Sequence, residues 1–212
     1  MNTQPEECIG PEEIIRAIHN GAEVSGEARN TVKLPWDIRP SEYVHFTQKD
    51  AEGSDKRSIV NALSNAKRAL ECQIDSLMLA LGLESIAKKL NVPKKLQLLN
   101  DLRVIAPRVL GKINKHRNEM EHAYTRPEHE VVMDFVDVVS LFVEATKHHI
   151  QDRDCEWAVD IPGSGWVGVT RTKDGLLITK DPFKRKGSIE IKPNSTHYLP
   201  LLGALIGAMS AD

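Results

Sequence analysis

The chain has 212 residues, of which 41% are apolar and 27% charged, and a formal net charge of −2. These values sit near globular averages and exclude a wholly disordered or collagen-like chain. No run approaches the roughly 18 uncharged apolar residues that span a bilayer, so a transmembrane protein is not expected. Met1 to Gly10 lacks a basic stretch followed by an apolar one, so no secretory signal is expected. Cys8, Cys72 and Cys155 are far apart and odd in number. They form neither a disulfide framework nor a zinc pattern, which makes a reducing, cytoplasmic setting the default. The charge is uneven: residues 1–54 balance at −5, residues 55–153 at +3 and residues 154–212 at zero. No segment is basic enough to imply nucleic-acid binding from charge alone.

In chain order, Gly10-Pro11 followed by Glu12 and Glu13 predicts a helix start, with Pro in the first turn and acids at the positive end. Ile14, Ile15 and Ile18 give that helix its apolar side, and Gly21 ends it. Val32 to Phe46 holds Pro35 and Pro40 beside Trp36, Tyr43 and Phe46, and reads as extended chain packed onto something larger. From residue 55 the pattern turns helical. Ile59, Leu63, Ala66, Leu70, Ile74, Leu77 and Leu81 recur at spacings of three and four, with Asp55 as N-cap and Gly82 as stop. A shorter helix is predicted around Ser85 to Leu90. Pro93 opens another with Leu96, Leu99 and Leu102 as its stripe, and Pro107 opens one running towards Tyr124. Arg126-Pro127 breaks the chain. Val131, Val132, Phe135, Val139, Phe142 and Val143 mark a last long helix to about Gln151.

The period then changes. Trp157 to Ile161, Trp166 to Arg171 and Leu176 to Lys180 read as strands, the last two flanking a Thr172-Lys173-Asp174-Gly175 hairpin turn. Ser188 to Lys192 adds a further strand, and Tyr198 to Met209 a closing helix. The expected organisation is an N-terminal extension with a short helix (1–54), a helical bundle (55–152) and a small β-rich region with a closing helix (153–212). The expected fold class is mainly α: an antiparallel helical bundle with a small C-terminal β-rich region.

Chemistry concentrates in the Pro107 helix. Its stripe runs Leu110, Ile113, Arg117, Met120, Tyr124, so Arg117 stands where the pattern wants an apolar residue. A guanidinium there needs a partner against desolvation, and Glu121 lies on the same side four residues on. Asn118 and His122 are also four apart. The bland readings are a structural Arg117–Glu121 ion pair, a satisfied bundle histidine at His122 and a core Tyr124.

Arg117, Asn118, His122 and Tyr124 form an Arg–x4–His–x–Tyr string with a polar residue after the Arg, and here residues 55–152 resemble the HEPN domain family of helical bundles. That string is similar to the toxin half of toxin–antitoxin pairs in which a HEPN protein is partnered by a minimal nucleotidyltransferase. The resemblance implies a metal-independent endoribonuclease, a hydrolase of RNA acting as a homodimer, as a toxin or a defence and stress component. It implies catalytic roles for Arg117, His122 and Asn118, supporting or regulatory roles for Glu121 and Tyr124, and nucleotidylation at Tyr124. No cofactor and no metal are expected. RNA, a second copy and a nucleotidyltransferase antitoxin are the expected partners. The chemistry suits these residue types: His serves as acid or base near neutral pH, and a fixed guanidinium holds phosphate oxygens. Positions five apart lie about 140° apart on an ideal helix, so Arg117 and His122 converge only by distortion or through a second subunit. The alternative is an inactive HEPN bundle that binds a nucleotide, RNA or a protein partner.

Other constellations are weaker. His116, His122 and His129 are six and seven apart, unlike the i, i+4 zinc pair on a helix. His148-His149 suits a helix C-terminus. Lys184-Arg185-Lys186 beside Phe183 reads as a solvated loop that can touch phosphates. Gly163-Ser164-Gly165 reads as a turn, and Ser164 has no nucleophile-elbow context.

Overall fold

The computed structural model describes residues 9–30, 32–105, 111, 128–151, 153–172, 174–181 and 184–209. The chain divides into two compact units. One comprises residues 32–100 and 104–151, and the other comprises residues 1–31, 101–103 and 152–212.

The first unit is helical. Helix α2 (Pro40–Ala51) opens with Pro at its first turn, and the Glu42 carboxylate accepts the Arg39 backbone N–H at 2.9 Å. This corrects the extended reading of Val32 to Phe46: Pro40 starts a helix because its missing N–H and fixed φ suit the first helical position. Helix α3 (Lys56–Ala80) is the longest described element. Asp55 caps it, accepting from the N–H groups of Arg57 (2.9 Å) and Ser58 (3.2 Å). At the other end Gly82, at φ 71°, donates to the Leu79 carbonyl, and Leu83 donates to that of Met78 at 2.8 Å. That is the Schellman ending, which needs a residue free to adopt positive φ. Short α4 (Glu84–Ala87) and α5 (Val92–Asp101) follow. Helix α6 (His129–Thr146) ends at Lys147, and α7 (His148–Gln151) is a separate turn rather than a continuation.

The core of this unit is the α3 stripe, with Ile59, Ala66, Leu70, Ile74 and Leu77 all at most 2% exposed. Helix α3 packs on α2 and α6, and α6 contributes Val132, Phe135, Val139 and Phe142 to the buried set. One polar link is fully buried: Gln73 Nε2 donates to Thr146 Oγ1 at 2.7 Å, which donates to the Phe142 carbonyl at 2.7 Å. Both groups are thereby satisfied, as burial requires.

The second unit is built on a five-stranded sheet of order β1-β2-β3-β4-β5, with every neighbouring pair antiparallel. The strands are β1 (Val24–Asn30), β2 (Arg153–Ile161), β3 (Gly165–Arg171), β4 (Leu176–Asp181) and β5 (Lys184–Ile191). This overturns the expected fold class. The β structure is neither small nor confined to the C-terminus, because β1 from the N-terminal segment forms one edge of the sheet. Val24-Ser25-Gly26-Glu27-Ala28 has little intrinsic strand preference, so pairing with β2 makes it a strand.

Opposed residues share a face in an antiparallel pair. Trp157 faces Val169, Val159 faces Val167 and Val169 faces Ile178, and all of these are buried. Helices α1 (Pro11–His19) and α8 (Tyr198–Met209) pack on each other, α8 also on β1 and α1 on β2. Helix α8 is apolar nearly all round and buries Tyr198, Leu201, Leu202 and Leu205. One glycine is required by close approach: at Gly175, with φ 155°, a Cβ would stand 2.2 Å from the Ile191 carbonyl oxygen. A Cβ on Gly26 would stand 3.0 Å from Met209 Cε, the flexible end of a side chain that can give way. No helix among the described residues is long and apolar enough to cross a membrane.

Candidate functional site

Arg117, Asn118, Glu121, His122 and Tyr124 lie outside the described residues, as do His116, Phe183 and the expected Pro107 helix apart from Gly111. The string falls in chain order between α5 and α6. On its approach, Leu96 and Leu99 are fully buried, and the Val104 N–H donates to the Leu99 carbonyl at 2.9 Å. On its exit, Glu128 is the N-cap of α6 and His129 its first residue.

The weaker constellations resolve as follows. Gly163-Ser164-Gly165 is the β2–β3 turn, with both glycines at positive φ and the Ser164 N–H on the Ile161 carbonyl at 2.9 Å. Lys184, Arg185 and Lys186 open strand β5 instead of forming a loop, because Lys184 pairs with Asp181 across the β4–β5 hairpin. The rings of His148 and His149 lie 3.9 Å apart in α7. No group of three metal-ligating side chains occurs among the described residues.

The described part of the helical unit carries a cavity of about 560 Å³, built by the segment before α2, by α2 itself and by α3. A smaller hollow of about 180 Å³ shares Trp36 and Asp75 with it. From α3 come Arg68, Glu71, Cys72 and Asp75, spaced i, i+3, i+4 and i+7, so one helical stripe supplies one wall. Trp36 and Tyr43 also line it. The indole of Trp36 is pinned: Nε1 donates to Ser76 Oγ at 2.9 Å, and Ser76 donates to the Cys72 carbonyl at 2.7 Å. The Cys72 thiol points its sulfur at the Ile38 carbonyl, 3.8 Å away. Burial pushes its pKa up to about 11, which keeps the thiol protonated at neutral pH. Asp75 is ion-paired with Lys95 at 2.6 Å. Tyr43 stands edge-on to Phe46, with ring centroids 6.2 Å apart.

Sequence reasoning noticed the aromatics of residues 36–46 but did not join them to α3. The signal that finds the cavity is the polar stripe Arg68–Asp75, on a different side of α3 from the buried apolar one.

The sheet unit has a cavity of its own, about 460 Å³, lined by His19, Asp101, Arg103 and the small residues of α8. Arg103 adopts a left-handed φ of 60°. Its side chain crosses Gly207 so closely that a Cβ there would stand 2.8 Å from Nη1.

A scan against protein-family models, a search of curated proteins and a search of solved structures each find no match for the chain.

Proposed function

We propose that this protein is a metal-independent endoribonuclease of HEPN type, working as a cytoplasmic homodimer in a toxin or defence role. The observation that carries the reading is the string Arg117-Asn118-x3-His122-x-Tyr124, placed in chain order between helices α5 and α6 of a compact helical unit. In this mechanism a base removes the proton of a ribose 2′-OH, the freed oxygen attacks the adjacent phosphorus, and the 5′-oxygen leaves with a proton from an acid. His122 of the two subunits supplies base and acid. Arg117 holds the phosphate oxygens as charge builds on them, and Asn118 orients the imidazole or the phosphate. Glu121 holds Arg117 in place. DNA is spared because it lacks the 2′-OH. Tyr124 is the point at which a nucleotidyltransferase antitoxin silences the enzyme.

The test is cleavage of RNA, with EDTA present, by the wild type, Arg117→Ala and His122→Ala, each first checked for folding and oligomeric state. Loss of one acid–base or charge-stabilising group is expected to cost a factor of about 10² or more in rate. Cleavage at the same rate in both variants would remove the mechanism. The intact mass of the Tyr124-containing peptide reports its modification.

A further inference from the structure

The cavity at Trp36 has the size and chemistry of a ligand site, and it uses no residue of the Arg117–Tyr124 string. It is an open groove rather than an enclosed pocket, with a volume of about 560 Å³, enough for a small ligand that keeps part of its surface in water. Trp36 is 36% exposed although its polar edge is already spent on the fully buried Ser76. The indole is therefore held rigidly, with apolar ring surface open to solvent and no N–H left to offer an anion. A fixed aromatic face presented this way loses little entropy when something covers it.

The charges on the wall decide what that something is. Asp75 is neutralised by Lys95. Asp37 and Glu71 have no ion-pair partner among the described residues, and Arg68 touches only the neutral Asn65 oxygen, at 3.4 Å. An anion would meet two free carboxylates against one guanidinium. A cation would meet those carboxylates together with the aromatic rings of Trp36 and Tyr43, which line the same space, the combination that favours organic cations over hydrated metal ions.

We propose that this cavity binds a small organic cation, an alkylammonium or alkylguanidinium group, against the rings of Trp36 and Tyr43 with Asp37 and Glu71 as its counter-ions. The assignment stands apart from RNA cleavage and survives if that reading fails.

The test is a titration of the full chain with n-butylguanidine and, separately, with its near-isosteric neutral counterpart n-butylurea, at constant ionic strength. The readout is the indole N–H cross-peak of Trp36 in ¹H–¹⁵N spectra, assigned by its disappearance in Trp36→Phe. Butylguanidine is expected to give a saturable shift in the millimolar range, and butylurea none. Asp37→Asn and Glu71→Gln are each expected to weaken binding about tenfold. Both positions are exposed, so folding is unaffected, which the far-UV circular dichroism checks. Arg68→Gln is expected to tighten binding by removing the competing cation. Equal shifts with both compounds, no shift with butylguanidine, or loss of binding in Arg68→Gln would each overturn the proposal.

Discussion

Helix α3 of the helical unit and strand β1 of the sheet unit are specified by different kinds of contact. The interactions that delimit α3 are near in sequence, although its packing on α2 and α6 is not. Asp55 caps the helix it precedes, Gly82 ends the helix it follows, and the stripe from Ile59 to Leu77 is a property of one continuous segment. At the β1 edge of the sheet unit they are far apart: Val24 pairs with Val159, and Gly26 lies against Met209, whereas β2 to β5 follow one another through hairpins. Local contacts make an element recognisable from its own residues, whereas long-range pairing lets a weak strand such as β1 exist at all.

Three substitutions sharpen that contrast. The largest effect is expected for Phe135→Ala, which empties a fully buried site against α3. It should cost about 3–5 kcal/mol in chemical denaturation, with faster amide exchange along α3 and α6. An unchanged midpoint would mean that this core is not what holds α3 and α6 together. Next comes Gly175→Ala. The new Cβ would meet a backbone oxygen at 2.2 Å, at a φ of 155°. A loss of about 2 kcal/mol is expected, with weakened protection in β4 and β5. Protection lost in α3 instead would contradict the assignment of this strain to the hairpin.

The smallest effect concerns Asp55. Its carboxyl pKa is held below the ordinary value, first by the Ser58 hydroxyl and then by the backbone N–H groups of Ser58 and Arg57. The folded pKa is thus below the unfolded one. The contribution is present above the unfolded value, about 3.9, and is lost as pH falls through the folded one. Asp55→Ala is expected to lower the thermal midpoint slightly at neutral pH and to match the wild type in acid. A gap that persists in acid would show that the carboxylate charge is not the cause.

The candidate chemistry divides in a similar way. The string Arg117 to Tyr124 was visible because it is a short linear pattern and resembles one family. The cavity at Trp36 was not visible as a unit. Trp36, Asp37 and Tyr43 precede α3, while Arg68, Glu71 and Asp75 lie on it, and no spacing rule joins the two groups. Nor did the aromatic segment announce helix α2, since Pro35 and Pro40 both argue for extended chain until the Glu42 cap is seen.

By itself the sequence determined α1, the caps and stripe of α3, the β3–β4 turn at Asp174-Gly175 and the closing helix from Tyr198 to Met209. Each of these is specified by residues within a few positions of one another: a side-chain acceptor for free N–H groups, a glycine where φ must be positive, an apolar periodicity. Only the tertiary structure decided that the N-terminal segment supplies the edge strand of a five-stranded sheet and that the wall of α3 faces Trp36. Those outcomes depend on backbone hydrogen bonds and close packing between residues distant in the chain, and such contacts leave no periodic mark on either partner.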